Sequence, residues 1–462
     1  MSAKKLVLIA ISIFLSIVFI DETGVAVTLP QIQHQFAMSN SALQWVMNGF
    51  FLPLSVLVLF GGKISDHLGC KKVFNIGMGI FIIASLLCGF SQSGTMIIVA
   101  RILQGIGGSL LLATYAVLIG AVFPGNERGV ALGTCAAVAS VFLATGPFIG
   151  GFLAHYLSWR VIFYINLPLG LLCLYFIDKA IPKDSQFDTQ DDFDFVGLGL
   201  FLVGFTALVF ALMQALDYGW TSNIIISLLV ASVILLPLFV WHQLKNRNPL
   251  ADLRLFKIGN FTSANIILLC TQVVVMSITY WAIWLQTSLN FSPLLAGIAL
   301  LPAGLPILVT ARIGGQWLDK YGPRLPIGLG SVIVLFGMVW LAAVASQQNY
   351  WWSFWGFLAY GIGAPLIISP CIATVMGSVA PEKRGMASGM LNTMRQLGAA
   401  LCFAIVGVVI NNFYAAGHST SANTQALYTH AFSYGMVASA LFALVACIFA
   451  LFLLKNHSEA TA

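Results

Sequence analysis

The sequence predicts an all-α integral membrane protein of fourteen spans, built as two six-helix bundles with two additional transmembrane helices between them. Three observations carry this. Hydrophobic residues make up 59% of the 462 and charged residues only 8%, with a mean hydropathy of +0.95, whereas a soluble domain carries about 25% charge. Fourteen apolar runs each reach the roughly 18 residues that a bilayer-crossing helix needs. Finally, two unrelated motifs each occur twice. Gly62-x-x-x-Asp66-x-x-Gly69 returns as Gly315-x-x-x-Asp319-x-x-Gly322, a shift of 253, and Arg128-Gly129-x-Ala131-x-Gly133 returns as Arg384-Gly385-x-Ala387-x-Gly389, a shift of 256. Two motifs displaced together mark a duplicated half.

The first six runs begin near Leu6, Leu43, Val73, Thr95, Val130 and Val161. The first has a basic start, Lys4-Lys5, like a signal peptide, but it runs too long, carries Asp21-Glu22 and lacks a small-residue cleavage site, so it reads as a helix. The acidic stretch from Lys183 to Asp194 follows, and then two runs near Phe195 and Ile224 that have no counterpart in the repeat. The last six begin near Phe261, Pro293, Pro326, Ser353, Ala387 and Phe432. The expected organisation is a bundle over residues 1–182, a linker with two inserted helices and a basic loop over 183–258, and a second bundle over 259–462. Of 21 Lys and Arg, all but Arg160 and the helical Arg101 and Arg395 fall on one side if both termini are cytoplasmic. That bias orients a multi-pass protein, here expected in the plasma (inner) membrane.

Asp21 and Glu22 are the acids placed deep in a predicted span, where a charge costs about 2.5–3.5 kcal/mol on insertion scales. Each needs a partner, a water cavity or a proton. Asp21 lies nine residues before Pro30, about 13 Å from that helix end, and Arg101 lies about 9 Å into its own helix at 1.5 Å per residue. The depths match, so Asp21 and Arg101 are expected to form the coupled, proton-linked pair. Neighbouring residues project about 100° apart, so Glu22 is expected to face a cavity, where it meets cationic cargo. The plainer alternative for the pair is an ion bridge that only fixes packing.

The glycine-rich motifs allow close helix approach, and Asp66 is placed just before the third helix, where a carboxylate suits the positive end of the helix dipole. Lys71 and Lys72 are expected to hold this loop at the headgroups. Gly146, Pro147, Gly150 and Gly151 soften the fifth helix and let a neighbour pack tightly. Trp45, Trp159, Trp220, Trp241, Trp317, Trp351 and Trp352 fall at predicted helix ends, as an interfacial belt does. Tyr280, Trp281, Trp284, Trp355 and Tyr360 lie further in as pocket candidates, and Asn48, Gln272, Asn392 and Gln396 as polar lining. Interhelical hydrogen bonding is the competing role for those four. Arg395, two turns into its helix, is expected to snorkel and serve structure or gating. The eight cysteines show no paired spacing, no metal-ligand pattern is present, and no phosphate-binding glycine loop occurs. Basic residues confined to short loops argue against a nucleic-acid face.

Taken in order, these motifs resemble the major facilitator superfamily, and within it the fourteen-span drug:proton antiporter branch. Asp21-Glu22-Thr23 running to Leu29-Pro30 is similar to the branch's Asp-x-Thr…Leu-Pro signature, with Ala26 where the family usually has Asn and a second acid at Glu22. Arg101-x-x-Gln104-Gly105, Gly146-Pro147-x-x-Gly150-Gly151, Trp159-Arg160-x-x-Phe163-x-Ile165-Asn166-x-Pro168-x-Gly170 and Asn392-Thr393-x-Arg395-Gln396-x-Gly398 resemble four further elements. The resemblance implies that Asp66 acts as a latch between the halves and that the Gly146–Gly151 run is an antiporter hinge. The second latch copy departs from the first in having Pro323-Arg324 where Lys71-Lys72 follow.

The expected function is therefore proton-gradient-driven export of amphiphilic, cationic small molecules, multidrug-efflux type, by a monomer with no cofactor and no enzymatic activity. Transport of a specific metabolite or siderophore is the alternative within transporters. A membrane-embedded transferase would gather acids or metal ligands on one face, whereas the acids at 188–194 look like a solvated linker. A non-transporting sensor would need a soluble domain to signal through.

Overall fold

The computed structural model describes residues 2–123, 125–181, 194–246, 249–380, 383–418 and 424–455. Every regular element among them is helical, and fourteen helices are long and apolar enough to cross a membrane. Residues Ala3–Phe36 (α1), Asn40–Leu68 (α2), Cys70–Gly89 (α3), Gly94–Val122 (α4), Gly125–Tyr156 (α5) and Val161–Ala180 (α6) make the first bundle. A hairpin of Phe195–Tyr218 (α7) and Asn223–Lys245 (α8) follows. Gly259–Thr287 (α9), Pro293–Tyr321 (α10), Arg324–Gln347 (α11), Tyr350–Gly377 (α12), Met386–Ala415 (α13) and Gln425–Leu453 (α14) make the second. Starts fall within a turn of expectation for most spans; α14 begins seven residues before Phe432 because Thr424–Ala431 continue the helix. An even number of crossings puts the start of α1 and the end of α14 on one face, where Asn260 and Lys455 share two hydrogen bonds of 3.0 and 2.9 Å.

Local chemistry sets the ends. Ser39, Ser93, Ser222 and Ser292 cap α2, α4, α8 and α10 by accepting a backbone N–H three residues on. The glycine-rich motif is not the polar loop it was expected to be. α2 runs on to Leu68 and leaves only Gly69 outside a helix before α3 begins at Cys70. Gly69 (φ 93°) and its repeat partner Gly322 (φ 79°) both adopt a positive φ that favours glycine, so the motif's last glycine is the turn. Asp66 therefore lies in the last turn of α2, not ahead of α3, and Gly315 and Asp319 lie within α10. The Asp66 side chain and the surroundings of Gly62 lie outside the described residues, as does the acidic stretch before Asp194.

Packing repeats with the sequence. The contacts of α1 with α5 and α6, α2 with α4, and α3 with α4 and α6 recur as α9 with α13 and α14, α10 with α12, and α11 with α12 and α14. Between the bundles α1 meets α9, while α2–α13 and α5–α10 are two seams related by the same exchange of halves. The seams close unequally. α5 meets mainly the first part of α10, where backbone carbonyls take the place of side chains. A Cβ on Gly151 would overlap the Pro293 carbonyl, one on Gly297 would stand 2.5 Å from the Pro147 oxygen, and one on Gly304 would overlap the Ala144 oxygen. Pro302 and Pro306 interrupt α10 along this stretch. α2 packs instead mostly on Arg384–Leu401, the half of the thirteenth span nearer the terminus-bearing face.

The inserted hairpin lies against α2 and the second bundle's α13. Trp45 meets Phe210 at 5.7 Å between centroids. Its root is tied by one carboxylate: Asp194 accepts from the Gly197 N–H (2.8 Å) and Gln243 (2.7 Å) and pairs with His242 (2.8 Å). Gln243 in turn accepts from the Leu250 and Ala251 N–H groups. Burial pushes the Asp194 carboxyl up, but these donors outweigh it and hold it below the ordinary 3.8.

Two outcomes are expected. Gly304→Val should force α5 and α10 apart at about 1–3 kcal/mol of overpacking, read as a longer distance between spin labels at Phe152→Cys and Leu295→Cys. Because Asp194 titrates below its ordinary value, its stabilisation is complete above pH 3.8 and is lost as pH falls through the lowered value. Hydrogen exchange at the start of α7 should accelerate there, and Asp194→Asn should remove the acid-dependent step.

Candidate functional site

Asp21 and Arg101 meet in the middle of the first bundle. Arg101 Nη1 forms an ion pair with Asp21 Oδ2, and the two side chains are 0% and 1% exposed. Arg101 also donates through Nε to the Val46 carbonyl (2.9 Å) and through Nη1 to Gln104 (2.7 Å), and its guanidinium lies 4.4 Å from the Phe50 ring centroid. Gln104 donates to Asp21 Oδ1 (3.3 Å) and Ser85 (2.9 Å), and Asn166 donates to the same Ser85 hydroxyl (3.2 Å). The network thus joins α1, α2, α3, α4 and α6. Gln104 is three residues from Arg101 and shares its helix face, a signal visible in the sequence. Ser85, one hydroxyl in an apolar run, offered none.

Glu22 leaves α1 on another side. Its Oε1 accepts a long bond from Gln396 Nε2 of α13 (3.4 Å), so it crosses from one half to the other, while Oε2 has no protein partner. Glu22 is 1% exposed, so it does not face the open cavity expected of it. The unequal seams enclose it. Arg395 exerts an electrostatic attraction on it. Arg395 sits half-buried with its Nε 3.4 Å from Gln272 instead of snorkelling away.

The remaining candidates do not gather around Glu22. Asn48 is fully buried and donates to Met213 of the inserted hairpin (2.8 Å), since its face of α2 points there. Trp284 stacks on Phe432 (5.1 Å) and Tyr360 meets Trp281 edge-on (5.0 Å), both inside the second bundle. Trp355 is 57% exposed and faces outward. Tyr280 lines a separate small cavity. Asn392 lies half-buried one turn before Gln396. Trp159, expected at the interface, is 4% exposed and donates to Gln35 (2.8 Å), which Arg160 also holds (2.9 Å). Lys71 pairs with Asp178 of α6 (2.9 Å), and Lys72 is exposed beside it. Gly146 faces Thr23 and Gly150 faces the Gly24 backbone, so the Gly146-Pro147-x-x-Gly150-Gly151 run lets α5 press on α1 at the level of Asp21 and Glu22 while Gly151 presses on α10.

The sequence profile of the Major Facilitator Superfamily matches residues 11–403. Among curated relatives, the multidrug resistance protein Stp of Mycobacterium tuberculosis is 32% identical over 88% of this chain and 76% of its own length. The puromycin resistance protein pur8 of Streptomyces alboniger is 30% identical over 96% of this chain and 90% of its own. The riboflavin transporter RibZ of Clostridioides difficile is 29% identical over 87% of each. The crystal structure of a D-xylose-proton symporter shares the fold at a TM-score of 0.69 and 16% identity, covering 98% of both chains. A profile spanning most of the sequence and relatives of this identity along nearly all of it place the chain among membrane transporters, not enzymes: it belongs to the major facilitator superfamily.

Proposed function

We propose that this transporter is a proton-coupled antiporter that exports amphiphilic, chiefly cationic small molecules across the plasma (inner) membrane, as a monomer with both termini in the cytoplasm. The observation that carries the reading is Glu22, a carboxylate held between the halves with one oxygen unpartnered. A carboxylate removed from water has to be neutralised, by a proton or by a bound cation. If the two exclude each other there, movement of one in each direction is antiport. The multidrug and puromycin resistance relatives support an export role for this chain. Asp21 carries the coupled proton, and Arg101 is the charge that its ionisation balances. The likeness to a riboflavin transporter favours a second reading, transport of one specific metabolite.

Transport into inside-out vesicles under an imposed pH gradient, scanned over cationic dyes and neutral metabolites, tests both readings. Uptake of several cations that collapses with the gradient supports the first, and uptake of a single neutral compound the second. Glu22→Gln should cut transport of cationic cargo about tenfold or more and spare neutral cargo. Equal losses would reassign Glu22 to coupling or packing.

Asp21→Asn leaves Arg101 as an uncompensated buried charge, a loss of about 3–5 kcal/mol in comparable pairs, and should abolish gradient-driven export. Asp21→Asn with Arg101→Gln should regain folding, measured as thermal stability, while export stays absent and cargo binding loses its pH dependence. A well-folded double variant that still exports would leave the pair a purely structural role.

A further inference from the structure

A small, partly open cavity of about 130 Å³ lies at the end of the α2–α13 seam remote from the termini, away from Glu22. Its walls come from both halves: Leu43 and Gln44 of α2, Tyr280 and Ile283 of α9, Ile410 of α13 and Tyr428 of α14. None of the described residues that line it is charged. Two polar atoms at one end lack a protein partner, Gln44 Oε1 and the Tyr280 hydroxyl, on side chains from residues only 6% and 3% exposed. The two side chains stand next to each other, because a Cβ added to Gly407 would overlap both the Tyr280 hydroxyl and the Gln44 amide nitrogen, leaving Gln44 Oε1 on the same amide. Gly407 follows directly on a π-helical turn over Cys402–Val406, a distortion frequent at functional sites.

Aliphatic and aromatic side chains share the walls with the polar Gln33, Asn40, Thr287 and Asn411, and Gln44 and Tyr280 carry unpartnered polar atoms, the mix of apolar wall and placed polar groups that holds a small ligand. The absence of charge in the described lining excludes ions, whose burial without a partner is costly. Gln44 Oε1 calls for a donor, and the Tyr280 hydroxyl can give its hydrogen to an acceptor beside it. The volume suits one six-membered ring, since a cavity of about 150 Å³ holds benzene. We propose that the cavity binds an uncharged, single-ring molecule carrying a hydrogen-bond donor and acceptor side by side, as a lactam does, bridging Gln44 of one half to Tyr280 of the other. The site is independent of the export reading and does not accommodate an amphiphilic cargo.

The probe is 2-pyridone, titrated into the full-length protein in lipid nanodiscs and followed by ligand-observed saturation-transfer NMR, with empty nanodiscs subtracted. N-methyl-2-pyridone removes the donor, and toluene keeps only the shape. Saturable binding of 2-pyridone in roughly the millimolar range is expected for so few atoms. The N-methyl compound, Tyr280→Phe and Gln44→Leu should each weaken it about tenfold, the weight of one good hydrogen bond, and Gly407→Ala should abolish it. Thermal stability identifies any variant that fails to fold, and Tyr280→Phe, which keeps the ring, then decides. Absence of saturable binding, toluene binding as well as 2-pyridone, or indifference to both Tyr280→Phe and Gln44→Leu would overturn the proposal.

Discussion

The buried Arg101–Asp21 pair is the constraint on which the first bundle depends. Neither ion is affordable alone at this depth, so the surrounding helices are organised to satisfy both. α2 gives up a backbone carbonyl to Arg101 and α4 supplies Gln104 to both partners, while α3 and α6 extend the network through Ser85 and Asn166. Satisfying Asp21 in this way also dictates what its neighbour does. Successive helical residues diverge by about 100°, so Glu22 cannot join the network. It projects out of the bundle toward Gln396, and a residue that would be redundant inside one half becomes a bridge to the other.

Duplication supplies two seams of common origin, and the side chains along them break their equivalence. α5 and α10 approach through glycines facing the carbonyl oxygens of Pro293, Pro147 and Ala144, a contact with no flexible side chain to give way. α2 and α13 meet through larger groups, including the Phe51–Phe403 stack at 5.7 Å. One seam is tight along the first part of α10 and the other along the first part of α13, which begin on opposite faces of the membrane. Glu22 is thereby closed off, and the small cavity beside Gly407 is what remains at the loose end of the second seam.

Much of this architecture was legible beforehand. Span count, the duplicated half and the inserted pair followed from apolar run length and two displaced motifs, because a bilayer demands continuous helices and leaves few alternatives. The Asp21–Arg101 contact followed from depth matching, since buried charges must find one another. Side-chain direction was less accessible. Asn48, Trp284 and Tyr360 were plausible pocket residues by depth, yet the azimuth of each helix turns Asn48 to the inserted hairpin and the two aromatics into the second bundle. Azimuth depends on which neighbours a helix has on every side, and apolar spans show almost no polar stripe to reveal it. The glycine motif misled for a different reason: polar residues suggested a loop, but nothing before Gly69 prevents α2 from continuing, so only the last glycine turns the chain.

The position of Glu22 also bears on how the halves can move. Its one bond to the second half is long, at 3.4 Å from Gln396, and a bond of that length adds little to hold the halves together. The α5–α10 carbonyl contacts, by contrast, are lost as soon as the helices separate by a fraction of an ångström, because dispersion falls steeply with distance. Opening at that seam is therefore a costly step, whereas parting Glu22 from the second half gives up one long hydrogen bond and the attraction of Arg395. Anything that satisfies the unpartnered Glu22 oxygen more strongly in one arrangement of the halves than in the other biases the whole equilibrium by that difference and by no more.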